Sequence, residues 1–232
     1  MDTPQGTRKT QKAEQTRQRI QDSALELFAS KGYEGTTMRD IAARAGCSLG
    51  LAYRYFSGKE EMVLELYRAL DRNLEEQVRE LPASTLADRF ERTMLTQLAQ
   101  MAPHRDSLTT LFGAALSPHS KVAVFGEQTA DIRSHSHRLY AIVAQGAKDA
   151  PRGNQLEDVA TILYGLHMIF ILFWLQDRSP EQTRTREALR FARDLLALLR
   201  PLLRLPPVAH MLARLAGILG PMFGVGPDQD AV

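Results

Sequence analysis

The sequence predicts an all-α protein built as a small N-terminal head of three helices in a helix-turn-helix arrangement, followed by a larger helical body. Three observations predict it. Apolar residues recur at helical spacing along most of the chain, and the alternation of a half-buried strand is missing over any useful length. Helix-length stretches are separated by Pro103, Pro118, Pro151-Arg152-Gly153, Ser179-Pro180, Pro201 and Pro206-Pro207. Between residues 36 and 66, two short helical segments meet at a glycine turn and a long third one follows.

The elements follow in order. A first helix is expected from Ala13 to Ser30, with Ile20, Ala24, Leu27 and Phe28 as its buried stripe, Gly32 as its C-terminal cap, and Tyr33 packing back beyond it. Thr37 is placed to cap the next helix, Met38 to Ala45, with Asp40 at the position where a capping box sets an acidic partner. Gly46 supplies the positive φ of a tight exit. Ser48 caps a helix from Leu49 to Tyr55 that carries Gly50, a residue costing about 1 kcal/mol in a helix relative to Ala. A position without a side chain lets another backbone come close, which suits a DNA surface. Ser57 is expected as a third N-cap, before a long helix from Lys59 to Leu81 that stops at Pro82. Lys59 at that N-terminus opposes the helix macrodipole, a conflict that a phosphate in front of the helix would remove.

Further helices are expected at Thr85 to Met101, Arg105 to Leu116, Lys121 to Ala147, Leu156 to Gln176, Pro180 to Leu199 and Val208 to Leu219. The run from Tyr164 to Leu175 is apolar on nearly every side and must be covered all round. It reads equally as a central core helix and as one face of a homodimer interface, and the two readings are compatible. Leu189, Ala192, Leu195, Leu196 and Leu199 give the next helix a second apolar stripe.

The span from Arg17 to Tyr67 resembles the DNA-binding domain of the TetR/AcrR family of bacterial regulators. The resemblance rests on Thr37, Ile41-Ala42, Ala45-Gly46, Ser48-Leu49-Gly50, Tyr53-Arg54-Tyr55-Phe56 and Lys59 in fixed order and spacing. Cys47 stands where Val is usual, and Leu51-Ala52 where a small polar and a larger apolar residue are frequent. The resemblance implies that Thr37, Tyr53, Tyr55 and Lys59 contact phosphates and that Ser48, Leu49, Gly50, Leu51 and Arg54 face bases or backbone. Ile41, Ala45, Cys47, Ala52 and Phe56 are expected to build the core of the head. It also implies a homodimer, whose last two major helices form an intersubunit bundle and whose two heads read a palindromic operator in double-stranded DNA.

On this basis the chain divides into a mobile basic arm (1–12), the helix-turn-helix domain (13–58), a linking helix (59–82) and a ligand-binding and dimerisation domain (83–232). Charge is distributed accordingly. Residues 1–59 hold ten Lys or Arg against six Asp or Glu, a balance of +4 that leaves −2 for residues 60–232 within the total of +2. Composition, 44% hydrophobic and 24% charged over 232 residues, is ordinary for a globular protein with a large core. One cysteine excludes an internal disulfide and suits a reducing cytoplasm, the expected location; Cys47 reads as a small core residue rather than a redox sensor. No targeting segment is read in Met1 to Gln18, and the apolar run from Ile162 to Leu175, broken by Gly165 and His167, reads as a buried helix rather than a membrane span.

No nucleophile elbow, phosphate loop or zinc-protease motif occurs, and His135 and His137, two apart on a helix, diverge, so neither enzyme chemistry nor a metal or cofactor is expected. A sensor pocket is expected instead. Phe90, Met94, Leu98, Leu111, Phe112, Phe125, Tyr140, Tyr164, His167 and Met168 are its candidate lining, for an unidentified and largely apolar effector, although for any single one of them plain core is the better reading. The amphipathic stretch from Val208 to Gly224 reads as an extra helix packed on the body. The function expected from all this is a ligand-responsive homodimeric repressor; the rivals are an activator, or a helical small-molecule-binding protein without specific DNA recognition.

Overall fold

The structure, a computed structural model, describes residues 4–224. Among them are ten α-helices with short 3₁₀ turns between some of them, and no strand. The helices are α1 (Pro4–Lys31), α2 (Met38–Arg44), α3 (Leu49–Tyr55), α4 (Lys59–Arg79), α5 (Leu86–Met101), α6 (Arg105–Leu116), α7 (Ala130–Gln145), α8 (Gln155–Gln176), α9 (Thr183–Leu199) and α10 (Pro206–Leu219). By their contacts they fall into two units. The first runs through Leu66 and includes His104–Ala123; the second holds Tyr67–Pro103 and everything from Val124 onward.

In the first unit, Ile20, Ala24 and Phe28 of α1 are fully buried with Ile41, Ala52, Phe56, Met62 and Leu111. Burying such side chains contributes on the order of 1.5 to 3 kcal/mol each. The turns hold as their chemistry demands. Gly46 takes φ +62, and the amides of Gly46 and Cys47 donate back to the carbonyls of Ala43 and Ala42, closing α2. α6 packs on α1 through apolar contact and two hydroxyls: Ser107 Oγ donates to the Leu25 carbonyl and Thr110 Oγ1 to that of Phe28, both at 2.8 Å. Leu111 and Phe112, expected among the pocket residues, thus sit on a helix that belongs to the first unit.

In the second unit, α8 packs against α7 and α10, and α5 against α9. Phe90 and Met94 of α5, Leu139, Tyr140 and Val143 of α7, and Leu163 and Trp174 of α8 form the centre of its core. Arg89 is buried there at 3% exposure. Its guanidinium has carbonyl partners: Nε donates to Val143 (2.9 Å) and Nη1 to Leu81 (3.0 Å) and Pro82 (3.3 Å), oxygens that α4 and α7 leave open at their C-terminal ends. Gly146 is the position that lets the guanidinium through, because a Cβ there would lie 2.5 Å from Arg89 Nη2. The start of α5 is held by Asp149, whose carboxylate accepts from the Leu86 amide at 2.7 Å and pairs with Arg200 at 2.8 Å.

Several boundaries differ from the sequence reading. α1 begins at Pro4, so residues 4–12 are helical rather than a mobile arm, while residues 1–3 lie outside the described residues. The helix expected from Lys121 begins at Ala130. Ahead of it, Thr129 Oγ1 and Arg133 Nη1 both donate to the carbonyls of Val124 and Gly126, which fixes the preceding loop as turns. Pro180 opens only a 3₁₀ turn, since Glu181 and Gln182 take φ of 52° and 49°; α9 then starts at Thr183, with its Thr185 amide and hydroxyl bound to Asp177. α8 is longer in its apolar run than expected. Among the described residues it is the one unbroken helix long and apolar enough to cross a membrane, and half of that stretch is buried in the body, as in a core helix.

Candidate DNA-binding surface and ligand site

The DNA-facing candidates lie on α2, α3 and the start of α4. Thr37 and Asp40 form a reciprocal box: the Thr37 hydroxyl accepts from the Asp40 amide at 3.2 Å, and the Asp40 carboxylate accepts from the Thr37 amide at 2.9 Å. Lys31 bonds the same carboxylate at 2.8 Å. Lys31 first, then Thr37, holds the Asp40 carboxyl well below the usual range. Ser48 caps α3 by accepting from the Leu51 amide at 3.1 Å.

On α3 the outward positions are those the sequence selects. Ser48, Leu49, Gly50, Tyr53 and Arg54 are exposed, Leu51 and Tyr55 half-buried, and Ala52 alone is fully buried. Tyr53 is 51% exposed, a large area for an aromatic ring, and it shares a surface notch with Thr37, Met38, Arg39 and Leu49. A Cβ on Gly50 would meet nothing within 4 Å. The chain's own packing therefore places no demand for glycine there, and the space above it is open to a partner.

Charge on this face is sparse and specific. Arg44 is bonded to Glu26 across 2.5 Å, and Arg17 pairs with Glu65 at 3.0 Å while lying over the Phe56 ring. Arg39 and Arg54 are exposed and, among the described residues, have no ion-pair partner. Arg39, absent from the contacts the family pattern implies, thus joins Thr37 and Tyr53 at the notch. The helical spacing of Ile41, Ala42 and Ala45, which turns that face inward, already leaves Arg39 facing solvent or phosphate.

Three expectations change. Lys59 does not wait for an external anion: its ammonium donates to the Tyr33 carbonyl at 2.7 Å and lies 4.2 Å from the Tyr33 ring centre, while Glu60 and Glu61 supply the negative charge that the first turn of α4 favours. Ser57 serves α4 through its amide, donated to Glu61 at 2.5 Å. Cys47 is half-buried, whereas Ile41, Ala45, Ala52 and Phe56 are core.

In the second unit, the candidate ligand residues form a packed aromatic cluster. Phe90 and Tyr140 approach to 6.1 Å between ring centres, Tyr140 stacks on His167 at 5.1 Å, and His167 on Tyr164 at 5.6 Å. The Tyr140 hydroxyl bonds Gln97 and contacts the Met94 sulfur, each at 3.3 Å. Burial pushes the His167 imidazole down to about 3, opposed by the Tyr164 backbone carbonyl, so it is neutral at physiological pH. His137 Nε2 meets Thr161 Oγ1 at 2.9 Å, and Thr161 gives its own proton to the Glu157 carbonyl, so His137 is the donor. Phe125 is 46% exposed and Met168 half-buried. Two cavities open elsewhere in this unit. One of about 340 Å³ lies along Leu98, Trp174 and Arg190, and one of about 220 Å³ along Leu163, Leu196 and Arg200. No cluster of three or more metal-ligating side chains occurs among the described residues.

A capped pair of short helices with an exposed, partly aromatic second helix, followed by a separate helical body, defines a helix-turn-helix DNA-binding regulator. Residues 20–66 match the family model for bacterial regulatory proteins of the tetR family, and residues 89–205 match that for the tetracyclin repressor-like C-terminal domain. The chain belongs to the TetR family of transcriptional regulators. Among curated proteins it is 32% identical over 124 residues to the transcriptional repressor KstR2 of Rhodococcus jostii, covering 53% of this chain and 55% of that one. Identity to SrpR of Pseudomonas putida is 47% over 51 residues, covering 22% and 24% of the two chains. The matched stretch thus spans about half the length of the first relative and a quarter of the second. Among solved structures, a TetR regulator of Nitrosomonas europaea superposes with a TM-score of 0.61 at 20% identity, over 79% of this chain and 98% of that one. FadR of Thermus thermophilus, a TetR-family repressor solved with lauroyl-CoA, gives 0.54 at 23%, over 76% and 92%.

Proposed function

We propose that this regulator is a homodimeric repressor that seats α3 in the major groove of a palindromic operator and leaves it when a largely apolar effector binds the second unit. The observation that carries the reading is the surface of α3: Gly50 open to solvent between exposed Leu49 and Tyr53, beside the exposed cations Arg39 and Arg54. Amides, hydroxyls and arginines of this kind hold phosphates and set register, while Leu49 and Leu51 offer apolar contact to thymine methyl groups. Lys59 and Tyr55 are assigned to the phosphates that flank the groove.

Dimerisation is supported by apolar side chains that the single chain leaves uncovered. Ile169, Leu172 and Phe173 of α8 and Phe191, Leu195 and Leu198 of α9 are exposed, Ile169, Phe191 and Leu198 by more than 60%. Large apolar side chains left exposed on two helices are the kind of surface that a protein partner covers. Effector control is supported by the lauroyl-CoA held by FadR, a ligand with a long apolar part, and by the aromatic body of this chain. An effector acts only by its preference for one of two states of the dimer. The test is a gel shift against DNA upstream of the chain's own gene, with specific and unrelated competitors. A shift removed only by specific competitor is expected; binding that every competitor removes equally would favour a small-molecule-binding protein without specific recognition.

A further inference from the structure

The chain continues past the C-terminal family domain, which ends at residue 205, into α10 and a 3₁₀ turn, Gly220–Phe223. This segment leaves most of its side chains in solvent. Met211, Leu215, Ile218 and Met222 are exposed, and its buried residues are Ala216, Gly220 and Phe223.

Phe223 is the large one among them, at 5% exposure. Its ring stands edge-on to Tyr164 with centres 4.8 Å apart, lies nearly parallel to Phe125 at 6.4 Å, and fills the space over Gly165, where a Cβ would be 3.5 Å from its Cζ. Behind Tyr164 come His167 and Tyr140, stacked in turn. Gly224, at φ +73, ends the turn. A ring supplied by the chain's end therefore completes an aromatic enclosure whose other walls come from α7, α8 and the loop before α7.

We propose that this enclosure is a binding site for a ring-shaped, largely apolar ligand, and that Phe223 is its resident occupant, leaving with residues 220–224 when the ligand enters. The proposal rests on the ligand-responsive reading above and adds the site and the class of molecule. Flat aromatic walls at stacking and edge-on distances favour a ring over a flexible chain. An apolar space of about 150 Å³ stays dry and holds a benzene-sized molecule, so a vacated benzyl group leaves room for one ring, and lifting the segment leaves room for two. A segment with few buried side chains opens locally at low free energy. The resident ring lowers apparent affinity by the fraction of time it is in place.

The probe is 2-naphthol, titrated by its fluorescence into the full-length chain and into full-length Phe223→Ala and Phe223→Leu, with melting curves to show that each is folded. Hydrogen exchange of residues 216–224 is followed in the unmodified chain, and 1-octanol serves as the linear competitor. The expected result is binding at least tenfold tighter in both variants, faster exchange at 220–224 when the unmodified chain is saturated, and no displacement by 1-octanol. Equal affinity in all three chains, no binding in any of them, or unchanged or slower exchange at 220–224 would overturn the site; the exchange measurement decides even where a variant does not fold. Operator affinity read in the same samples separates the two claims. Tighter naphthol binding with unaltered operator affinity supports the site and contradicts effector control, while operator release by another compound without naphthol binding contradicts the site alone.

Discussion

Lys59 is bonded to Tyr33 twice over, through the carbonyl oxygen at 2.7 Å and across the ring face at 4.2 Å. That ring in turn stands edge-on to Phe28 at the end of α1, with centres 5.3 Å apart. One ammonium thus ties the start of α4 to the turn after α1, and it keeps further N–H donors for a phosphate. Lys59→Ala should lower the stability of the protein by about 1 kcal/mol, read from a urea midpoint. It should also weaken binding to all DNA sequences about equally and reduce the salt slope of log affinity by about 1. A stability loss with an unchanged slope would confine Lys59 to a structural role.

Gly50 gives the opposite pairing of effects. Because a Cβ there meets nothing in the protein, Gly50→Ala should leave the head as stable as before or more stable by up to about 1 kcal/mol. Its operator affinity should nevertheless fall by a factor of ten or more, as the methyl group holds the backbone off the DNA. Calorimetry and fluorescence anisotropy on the same preparation check both halves.

How much of this was legible in the sequence depended on how local each signal was. Thr37, Ser48 and Gly46 fix α2 and α3 within a few residues of themselves, so those helices and their outward faces could be placed from the sequence. Arg89 could not, because its partners at Leu81 and Val143 come together only in the folded body. The bond of Lys59 to the Tyr33 carbonyl was out of reach for the same reason, its partner lying 26 residues away in the sequence. The start of α7 failed differently: residues 121–129 carry helix-like spacing, and only the bonds of Thr129 and Arg133 to Val124 and Gly126 show the turns. Composition also gave no means of separating a filled aromatic cluster from an open pocket, since both want the same side chains.

Asp71 predicts a pH dependence in the body. Burial pushes its carboxyl up to about 6, opposed by the Ser136 hydroxyl at 2.5 Å and by nearby His135, and reinforced by Glu75. An unfolded aspartate titrates near 3.9, so the contribution of Asp71 is favourable below about pH 4 and is lost as pH rises through about 6. Asp71→Asn should flatten stability against pH between those values and be the more stable protein at pH 8, by on the order of 3 kcal/mol at most. Denaturant melts at pH 4, 6 and 8 check it; parallel curves for the two proteins would contradict the assignment.

The uncovered apolar face predicts an oligomer. Phe191, 69% exposed on α9, is expected to be buried against a second copy. Phe191→Glu should shift sedimentation from dimer to monomer and lower operator affinity at least tenfold, because one head alone reads a single half-site. A dimer that survives both this change and Ile169→Arg would place the interface elsewhere.

Selection of bound sequences from a random DNA pool by the full-length chain tests the central claim most directly. The account predicts recovery of a two-fold symmetric site whose half-sites lie about one helical turn, or a multiple of it, apart, and whose enrichment is lost when Gly50 carries a methyl group. Recovery of no common sequence, or of one with no internal symmetry, would contradict it.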